Sequence, residues 1–359
     1  MSWAADRPQT VRVSVAMGTF NGERHLRAQL DSMVRQSRRP DELVVSDDGS
    51  TDATIAMLEA FRSTAPFDVR ILHSEGRLGV TRNFERAMAA CTGDFILLSD
   101  QDDVWTADRV ERLIAALQAA PDAGYAFSNA QIMSEDGTLQ DDTLWSRIGL
   151  SEARRIRYHA GTQMPVLLNG PNFIYGMAMA IRRAFIADVL PIVAQSPSCT
   201  HDTWTALAMS GAGHHGVMVD ACLVHYRQHS KQVVGAGQTR ETGRAAVRQS
   251  LRSARRYDPQ FPPDLEILAR KVAETAPEGA GARGLLACCR TRQRICGSGN
   301  KRRNHPSCAV RGRSDENFDL VDMLPFQNRG RRPFAISSGE IKAVLQLRER
   351  LAGRQIRSW

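Results

Sequence analysis

Short apolar runs alternate with amphipathic stretches through the first third of the chain. The run VRVSVAM, residues 11–17, is rich in β-branched side chains and predicts a buried strand. The turn GTFNG follows, and after it comes a stretch whose apolar side chains share one helical face: Leu26, Leu30, Met33 and Val34. This order predicts a strand, a loop and a helix.

The same order recurs three more times along the chain. The runs ELVVSDD, VRILHSE and FILLSD predict strands, and the stretches ATIAMLEAF, TRNFERAMAAC and ADRVERLIAALQAA that follow them predict helices. Strands that alternate with helices of about 10 to 15 residues indicate right-handed crossovers and a mostly parallel sheet. We therefore predict an α/β fold with helices flanking the sheet.

Polar side chains gather directly after the predicted strands. Ligands of open parallel sheets bind outside the carboxyl ends of the strands, where loops and helix N-termini meet. The candidates at this edge follow the first, second and fourth strands: Thr19, Phe20, Asn21, Asp47, Asp48, Asp100, Asp102 and Asp103. Five carboxylates are thus expected to converge on one edge of the sheet.

The segment LLSDQDDVW places three carboxylates within four positions, directly after an apolar strand. Oxygen ligands of this kind suit a hard cation such as Mg²⁺ or Mn²⁺, which retains water while it bridges carboxylates to a diphosphate. The alternative is a solvated cap before the next helix. Capping alone does not explain three acids, so the cation is the favoured interpretation.

The segment SDDGSTD has two open interpretations. In one, Asp47 or Asp48 accepts a hydrogen bond from the imide of a uracil or thymine ring, or from a ribose hydroxyl. In the other, Asp48 and Ser50 form a turn and cap the second helix. The two roles are compatible.

Composition and hydrophobic pattern indicate a globular protein and argue against a membrane-spanning or secreted one. The 359 residues are 42% hydrophobic and 24% charged, which is ordinary for a globular protein, and the seven cysteines are scattered. The chain has neither a run of about 18 apolar residues nor a secretory signal, so a cytoplasmic protein is expected.

The net charge of +8 belongs to the C-terminal part of the chain. Residues 281–359 hold 17 Lys and Arg against 6 Asp and Glu, a net charge of +11, whereas residues 1–280 hold 30 against 33, a net charge of −3.

Before residue 281, arginines recur at every fourth position: Arg240, Arg244, Arg248, Arg252 and Arg256. Such a stripe suits a peripheral contact with anionic lipid at the inner face of the cell membrane, and a solvated face is the alternative. No nucleic-acid partner is expected, because no aromatic-interleaved basic platform accompanies the stripe.

Five motifs occur in order along the chain: VSVAMGTFNG, VVSDDGSTD, GVTRNFERAMAACTGDFILLSDQDDVW, HDTW and YRQH. Together they resemble the family-2 inverting glycosyltransferases with the GT-A fold, over roughly residues 10–238. The resemblance implies a GT-A domain over residues 1–238, with a nucleotide-sugar-binding half at about 10–125 and an acceptor half at 126–238. Residues 239–359 are then a basic extension, partly helical and partly disordered. The form SDQDDVW further resembles the bacterial rhamnosyltransferase branch.

The resemblance implies roles on the donor side of the site. Asp102 lies on the metal and Asp100 near the ribose, with Asp103 as a further candidate ligand. The position of Arg82 at the start of the third predicted helix, apart from the resemblance, suggests a cation that faces the nucleotide or its phosphates, and a solvated surface arginine is the alternative. His229 completes the metal site or touches the diphosphate, and a structural histidine is the alternative.

The resemblance also implies roles on the acceptor side. Asp202 of HDTW occupies the position of the catalytic base, at the start of an apolar helix. Asn172 and Gly176 stand at their usual places in the stretch that leads into the acceptor side, where a glycine permits a close approach of the backbone. Trp204 is either an acceptor-facing wall or a core tryptophan.

The sequence thus predicts a metal-dependent inverting glycosyltransferase that moves a sugar, L-rhamnose in the finer interpretation, from a nucleoside diphosphate to a hydroxyl of a glycan or lipid-linked glycan. Such a reaction belongs to the synthesis of cell-surface polysaccharide. One alternative is a hexosyltransferase that uses a UDP-sugar. Another is a non-catalytic subunit that binds sugar nucleotides, although the joint presence of Asp100, Asp102 and Asp202 argues against it.

Overall fold

The computed structural model of the protein describes residues 11–159, 163–168, 172–194, 199–230, 232, 267–268 and 270–271. The predictions for the basic extension, including the arginine stripe, fall almost entirely outside these residues. No helix in the described ranges is long and apolar enough to cross a membrane.

One sheet contains the nine strands of the described residues. They are β1 Val13–Thr19, β2 Glu42–Asp47, β3 Asp68–His73, β4 Phe95–Ser99, β5 Val104–Trp105, β6 Ala123–Met133, β7 Leu139–Thr143, β8 Met179–Arg182 and β9 His215–Arg227.

Helices flank the sheet and connect most of its strands. They are α1 Leu26–Val34, α2 Thr54–Arg62, α3 Val80–Ala90, α4 Arg109–Ala119, α5 Leu144–Arg147, α6 Glu152–His159, α7 Gln163–Leu168, α8 Ile186–Val189 and α9 His201–Ala212, with short 3₁₀ turns at Gly176–Ala178 and Arg183–Phe185.

The strand order is β3-β2-β1-β4-β8-β6-β9-β5, with β7 paired to β6. The first four strands of this order run parallel to one another, as the alternation of strands and helices predicts. Beyond β4 the sheet is mixed, because β8 pairs antiparallel with both β4 and β6, while β6 and β9 are parallel. The predicted α/β fold is confirmed. The alternation of strands and helices in the sequence corresponds to its parallel half, β1 to β4.

The central strands are buried on both faces. Successive side chains of a strand point to opposite faces of the sheet. Ala16, Ile96 and Leu98 accordingly join the apolar cluster that includes α3 and α9, whereas Val15 and Leu97 join the cluster that includes α1 and α4. Both faces of β1 and β4 therefore need apolar residues, which explains why these strands read as continuous hydrophobic runs.

A buried carboxylate ties the N-terminal ends of three strands together. Glu42, at the start of β2, accepts hydrogen bonds from Ser14 Oγ of β1 at 2.5 Å and from the backbone and hydroxyl of Thr92 at 2.6 and 2.8 Å. It also pairs with Arg70 of β3 at 2.9 Å. Burial alone would raise the pKa of Glu42, but the hydrogen bonds from Ser14 and Thr92 outweigh it and lower the pKa to about 2.

We expect Glu42→Gln to lower the free energy of unfolding by about 1–3 kcal/mol at pH 7, because its amide NH₂ would face donors. The pKa of Glu42 is lower in the folded protein than the ordinary 4.5, so its contribution is complete above pH 4.5 and is lost as the pH falls towards about 2. Urea unfolding at several pH values measures both effects. A difference between the two proteins that stays constant from pH 7 to pH 2.5 would contradict this account.

Candidate active site

The loop after β1 is held against the acidic segment after β4. Gln101 lies within that acidic segment, and its side-chain amide accepts a hydrogen bond from the Phe20 backbone N–H at 2.9 Å and donates one to the Phe20 carbonyl at 3.0 Å. Asn21 adopts the left-handed conformation, with φ of 47°, and its Oδ1 accepts from the Thr51 N–H at 2.8 Å. The loops after β1, β2 and β4 therefore form one connected edge.

Asp47 closes the turn that follows β2. One of its carboxylate oxygens accepts from Thr19 Oγ1 at 2.7 Å and from Ser50 Oγ at 2.6 Å, and the other accepts from the Ser50 N–H at 2.8 Å. Thr19 and Asp47 are both buried. The structure gives these two residues a role in fixing the edge, and their contact with a nucleotide stays a prediction.

Asp48 fixes the loop before α3 and does not cap α2. It accepts hydrogen bonds from the backbone N–H groups of Leu78 and Gly79 and from Arg77 Nε, the last at 3.0 Å. The Cζ atom of Arg77 lies 3.4 Å from the centre of the Phe20 ring. At α2 it is Asp52 that accepts from a first-turn N–H. The capping role proposed for Asp48 and Ser50 is therefore wrong.

Asp102 and His229 form a close pair across the sheet edge. The distance between Asp102 Oδ2 and His229 Nε2 is 2.7 Å. His25, at the start of α1, lies nearby, with its ring centre 5.3 Å from that of His229. Burial and the charges of Arg227 and His229 lower the pKa of His25. An acidic side chain and two imidazoles thus meet where the sequence motifs predicted only one histidine.

Asp100 interacts electrostatically with both the predicted metal-binding and the predicted catalytic carboxylate. Burial, together with the smaller effects of the charges of Asp102 and Asp202 and against the opposing charge of Arg109, raises the pKa of Asp100 to about 8. Carboxylates about a hundred positions apart in the chain therefore influence one another at the end of β4.

Asp103 is buried, whereas Asp100 and Asp102 are half-buried. The Asp103 side chain is fully buried, one oxygen accepts from the Arg227 N–H at 3.0 Å, and burial and the neighbouring carboxylates raise its pKa well above the ordinary value. Arg227 also donates to the carbonyl oxygens of Asp102 at 2.8 Å and Glu135 at 2.9 Å. One oxygen of Asp103 thus joins the acidic segment to β9, the other has no hydrogen-bond partner among the described atoms, and the role of Asp103 as a metal ligand stays a prediction.

A buried arginine lies among the acidic side chains. Arg109, the first residue of α4, is fully buried and donates to the carbonyl oxygens of Leu98 at 3.1 Å and Met177 at 2.7 Å. Burial lowers its pKa to about 9, and the charges of Asp103 and Asp100 oppose that change. Arg109 supplies a fixed positive charge to the acidic cluster.

The side chains present fit part of a divalent metal site. In the described part of the chain, no three His, Cys, Asp or Glu side chains converge in a way that could hold a metal ion by themselves. Asp102 and His229 nevertheless offer adjacent oxygen and nitrogen ligands, and a cation beside them would favour the ionised form of Asp100, against the burial that raises its pKa. Mg²⁺ commonly takes one or two protein carboxylates and completes its shell with water and phosphate oxygens. The donor set fits such a shared site.

Asp202 is oriented by the first turn of α9. Its Oδ1 accepts from the Thr203 N–H at 2.6 Å and from Thr200 Oγ1 at 2.5 Å, and its Oδ2 accepts from the Gly176 N–H at 2.9 Å. A carboxylate at a helix N-terminus is stabilised by the free N–H groups of the first turn. These contacts hold Asp202 in one orientation, within electrostatic reach of Asp100.

A close approach at Gly176 makes room for a buried histidine. A methyl group on Gly176 would lie 2.5 Å from His201 Nε2. His201 is only 6% exposed and stacks on Phe84, with ring centres 3.9 Å apart. Burial lowers the pKa of His201 against the opposing charge of Asp202, and neither ring nitrogen has a hydrogen-bond partner among the described atoms.

Three other predicted residues have local contacts. Trp204 is 0% exposed and donates its indole N–H to the Val189 carbonyl at 2.9 Å, so the acceptor-wall role is wrong and Trp204 is a core residue. Arg82 is exposed and pairs with Glu85 at 2.5 Å, which matches its solvated alternative. The Asn172 side chain closes a turn on the backbone of Ile174.

The sequence motifs missed several side chains that build the site: His25, Arg77, Gln101, Arg109 and Arg227. Each lies within six residues of a predicted site residue, so proximity along the chain was the available signal. Residue type gave no signal, because the arginines at these positions cannot be told from the many other arginines of the sequence.

Residues 14–189 match the family model described as Glycosyl transferase family 2. The match extends from β1 to the end of α8 and contains the acidic segment. Asp202 and His229 lie beyond it. The match agrees with the resemblance that the motifs indicated.

Two relatives illustrate how far the similarity extends. An uncharacterized protein of Mycobacterium tuberculosis is 24% identical over 225 residues, which cover 61% of this chain and 59% of that protein. The dTDP-rhamnosyl transferase RfbG of Shigella flexneri is 33% identical over 124 residues, which cover 33% of this chain and 40% of that protein. The chain therefore spans less than two thirds of the length of the curated relatives that it matches.

A solved structure supports the fold. S. aureus TarS residues 1–349 in complex with UDP-GlcNAc superposes with a TM-score of 0.52 at 18% sequence identity, over 82% of this chain and 76% of that chain. Likeness at this level of identity concerns the fold alone. It is consistent with the predicted GT-A-type architecture.

We expect Gly176→Ala to lower the free energy of unfolding by about 1–3 kcal/mol, because the new methyl group would displace His201 from Phe84 and strain the Asp202 contact. Gly76→Ala is the matched control, since a methyl group there would meet nothing within 4 Å. Its effect should stay within about 0.5 kcal/mol. Urea unfolding of the two variants measures the difference, and equal losses would show that the close approach at Gly176 is not tight.

Proposed function

We propose that the protein is a family-2 glycosyltransferase that moves a sugar from a nucleoside diphosphate to a hydroxyl of a glycan or lipid-linked glycan, with inversion. The observation that carries this proposal is the meeting of four side chains at the carboxyl end of β4. Asp102 pairs with His229 at 2.7 Å, and the charges of Asp102 and Asp202 both act on Asp100. The family match over residues 14–189 supports the same reaction class.

Asp102 and His229, with Asp100 beside them, would hold the divalent cation of this proposal, Mg²⁺ or Mn²⁺. When bound, such a cation offsets the negative charge that develops on a departing diphosphate. Arg109 and Arg227 contribute in a different way, because they fix the acidic segment in place before any ligand arrives. The protein therefore supplies a rigid donor site at low reorganisation cost.

Asp202 is proposed to take the proton of the attacking hydroxyl. As the acceptor oxygen forms a bond to the anomeric carbon, its proton passes to an Asp202 oxygen, and the bond from that carbon to the diphosphate oxygen breaks on the opposite face. This in-line displacement inverts the anomeric configuration. The contacts from Thr200, Thr203 and Gly176 support the role, since they hold the carboxylate in position.

The donor sugar is proposed to be L-rhamnose carried on dTDP. The 33% identity to a dTDP-rhamnosyl transferase over 124 residues supports this choice. A UDP-hexose is the alternative. The product would enter a cell-surface polysaccharide. The acceptor is inferred from the sequence alone, and so is a membrane contact of the basic extension.

The test is release of nucleoside diphosphate from dTDP-rhamnose and a panel of UDP-sugars by the full chain, in the presence of Mn²⁺. Asp202→Asn keeps one acceptor oxygen for Thr200 and Thr203 but cannot accept a proton as a carboxylate does. We expect turnover to fall by about 10² to 10⁴ while donor affinity changes little.

Two results would contradict the proposal. Absence of diphosphate release from every donor, with or without simple glycan acceptors, would exclude the transferase activity. Full turnover in Asp202→Asn would assign the base to another residue. Product anomers determined by NMR would separate inversion from retention.

A further inference from the structure

A row of buried polar side chains on α1 and the turn after it faces the segment that follows β4. Gln29, Ser32 and Gln36 are 0%, 1% and 5% exposed, respectively. The spacing places Gln29 and Ser32 on one face of the helix, and Gln36 continues the row just beyond its end. Buried polar groups cost free energy unless they are hydrogen-bonded, so the partners of this row indicate its role.

Gln29 joins the two ends of the acidic segment. In the amide orientation that satisfies every group, its nitrogen donates to the Asp103 carbonyl at 2.7 Å and its oxygen accepts from Ser99 Oγ at 2.7 Å. The same oxygen accepts from the Trp105 indole N–H at 2.8 Å. Ser99 directly precedes the run of carboxylates and Asp103 ends it. One buried side chain therefore fixes both ends of that run.

Further contacts hold the same stretch of backbone. Ser32 Oγ accepts from the Trp105 backbone N–H at 3.1 Å and donates to the Gln29 carbonyl at 2.7 Å. From the other side, the two hydrogen bonds between Gln101 and the backbone of Phe20 hold the middle of the acidic segment. Fully satisfied buried polar contacts of this kind favour a single conformation of the chain that they bind.

Gln36 makes similar contacts away from the carboxylates. Its amide nitrogen donates to the Thr106 carbonyl at 2.7 Å, and its amide oxygen accepts from the Val110 N–H at 3.1 Å. Gln36 has the same residue type and nearly the same burial as Gln29, but its partners belong to the start of α4. The two glutamines therefore separate an effect on the acidic segment from a general effect on stability.

Like charges favour spreading of the acidic segment. The charge of Asp102 acts on both Asp100 and Asp103. A backbone that is fixed at Ser99 and at Asp103 resists this spreading. The spacing of the carboxylates is thus set by contacts that lie behind the site and involve no ligand.

We propose that Gln29 is a positioning residue for the proposed metal site, where it holds Asp100 and Asp102 in the arrangement that binds the cation. This inference rests on the proposed function, because it assumes that Asp102 binds a divalent cation. Gln29 acts through the segment between Ser99 and Asp103 and does not itself bind the metal. Side chains that hold metal ligands from behind typically contribute about 10- to 100-fold to metal affinity.

The experiment compares Gln29→Met with Gln36→Met in the full chain. Methionine has nearly the length of glutamine but no amide, so each change leaves one carbonyl and one N–H without a partner. Calorimetric titration of dTDP and UDP at a series of Mn²⁺ concentrations gives the Mn²⁺ concentration at which nucleotide binding is half-maximal. We expect Gln29→Met to raise that concentration by about tenfold or more. Gln36→Met should leave it unchanged, although urea unfolding should show a similar loss of stability in both variants.

Hydrogen exchange without nucleotide or metal tests the positioning by itself. In Gln29→Met, the amide hydrogens of residues 100–105 should exchange faster than in the wild type, whereas in Gln36→Met the faster exchange should be confined to residues 106–110. Ser99→Ala removes only one of the Gln29 contacts and replaces Gln29→Met if that variant does not fold. It should raise the half-maximal Mn²⁺ concentration in the same direction by a smaller factor.

The outcomes separate this inference from the proposed function. An unchanged Mn²⁺ dependence in Gln29→Met, or an equal shift in Gln29→Met and Gln36→Met, would overturn the positioning role while the transferase proposal stands. Unchanged exchange of residues 100–105 in Gln29→Met would also overturn it, because the segment would then keep its conformation without the amide. Failure of the wild type to bind either nucleotide would contradict the proposed function, and the role of Gln29 towards the metal with it.

Discussion

Repulsion among carboxylates at the carboxyl end of β4 is the constraint around which the site is built. Burial and mutual charge raise the pKa values of Asp100 and Asp103, so the acidic segment is stable only with compensation. Arg109, buried at the start of α4, provides an opposing positive charge, and Arg227 joins the segment to β9 through backbone and side-chain contacts. The apolar strands position the acidic side chains, and the two arginines stabilise the acidic segment.

The two halves of the sheet contribute different parts of the proposed reaction. The parallel half supplies the loops after β1, β2 and β4, which Gln101 and Asp48 join into one edge. The mixed half brings Asp202 against this edge through the contact of α9 with the turn at Gly176. Because each of these side chains has its position before a ligand binds, the proposed reaction would require little reorganisation of the protein.

Local patterns predicted the parallel half well, since each strand and helix there is encoded by periodicity over about ten residues. They did not predict β6, β8 and β9, whose pairing depends on contacts between distant segments. The motifs singled out Asp102, His229 and Asp202, whose roles stay predictions, but the burial of Asp103 and Trp204 depends on packing that no spacing rule contains. The two arginines Arg77 and Arg109 could not be distinguished from the sequence either. Their side chains are identical, but Arg77 is an exposed hydrogen-bond donor and Arg109 is a buried charge.

The acidic segment is proposed to hold a cation that a bound nucleoside diphosphate shares. Calorimetric titration of dTDP and UDP into the wild type and Asp102→Ala, each with and without Mn²⁺, measures whether nucleotide binding depends on this cation. Binding to the wild type should require Mn²⁺ and should be lost in Asp102→Ala. Metal-independent binding of equal strength in both proteins, or no binding of either nucleotide, would contradict it.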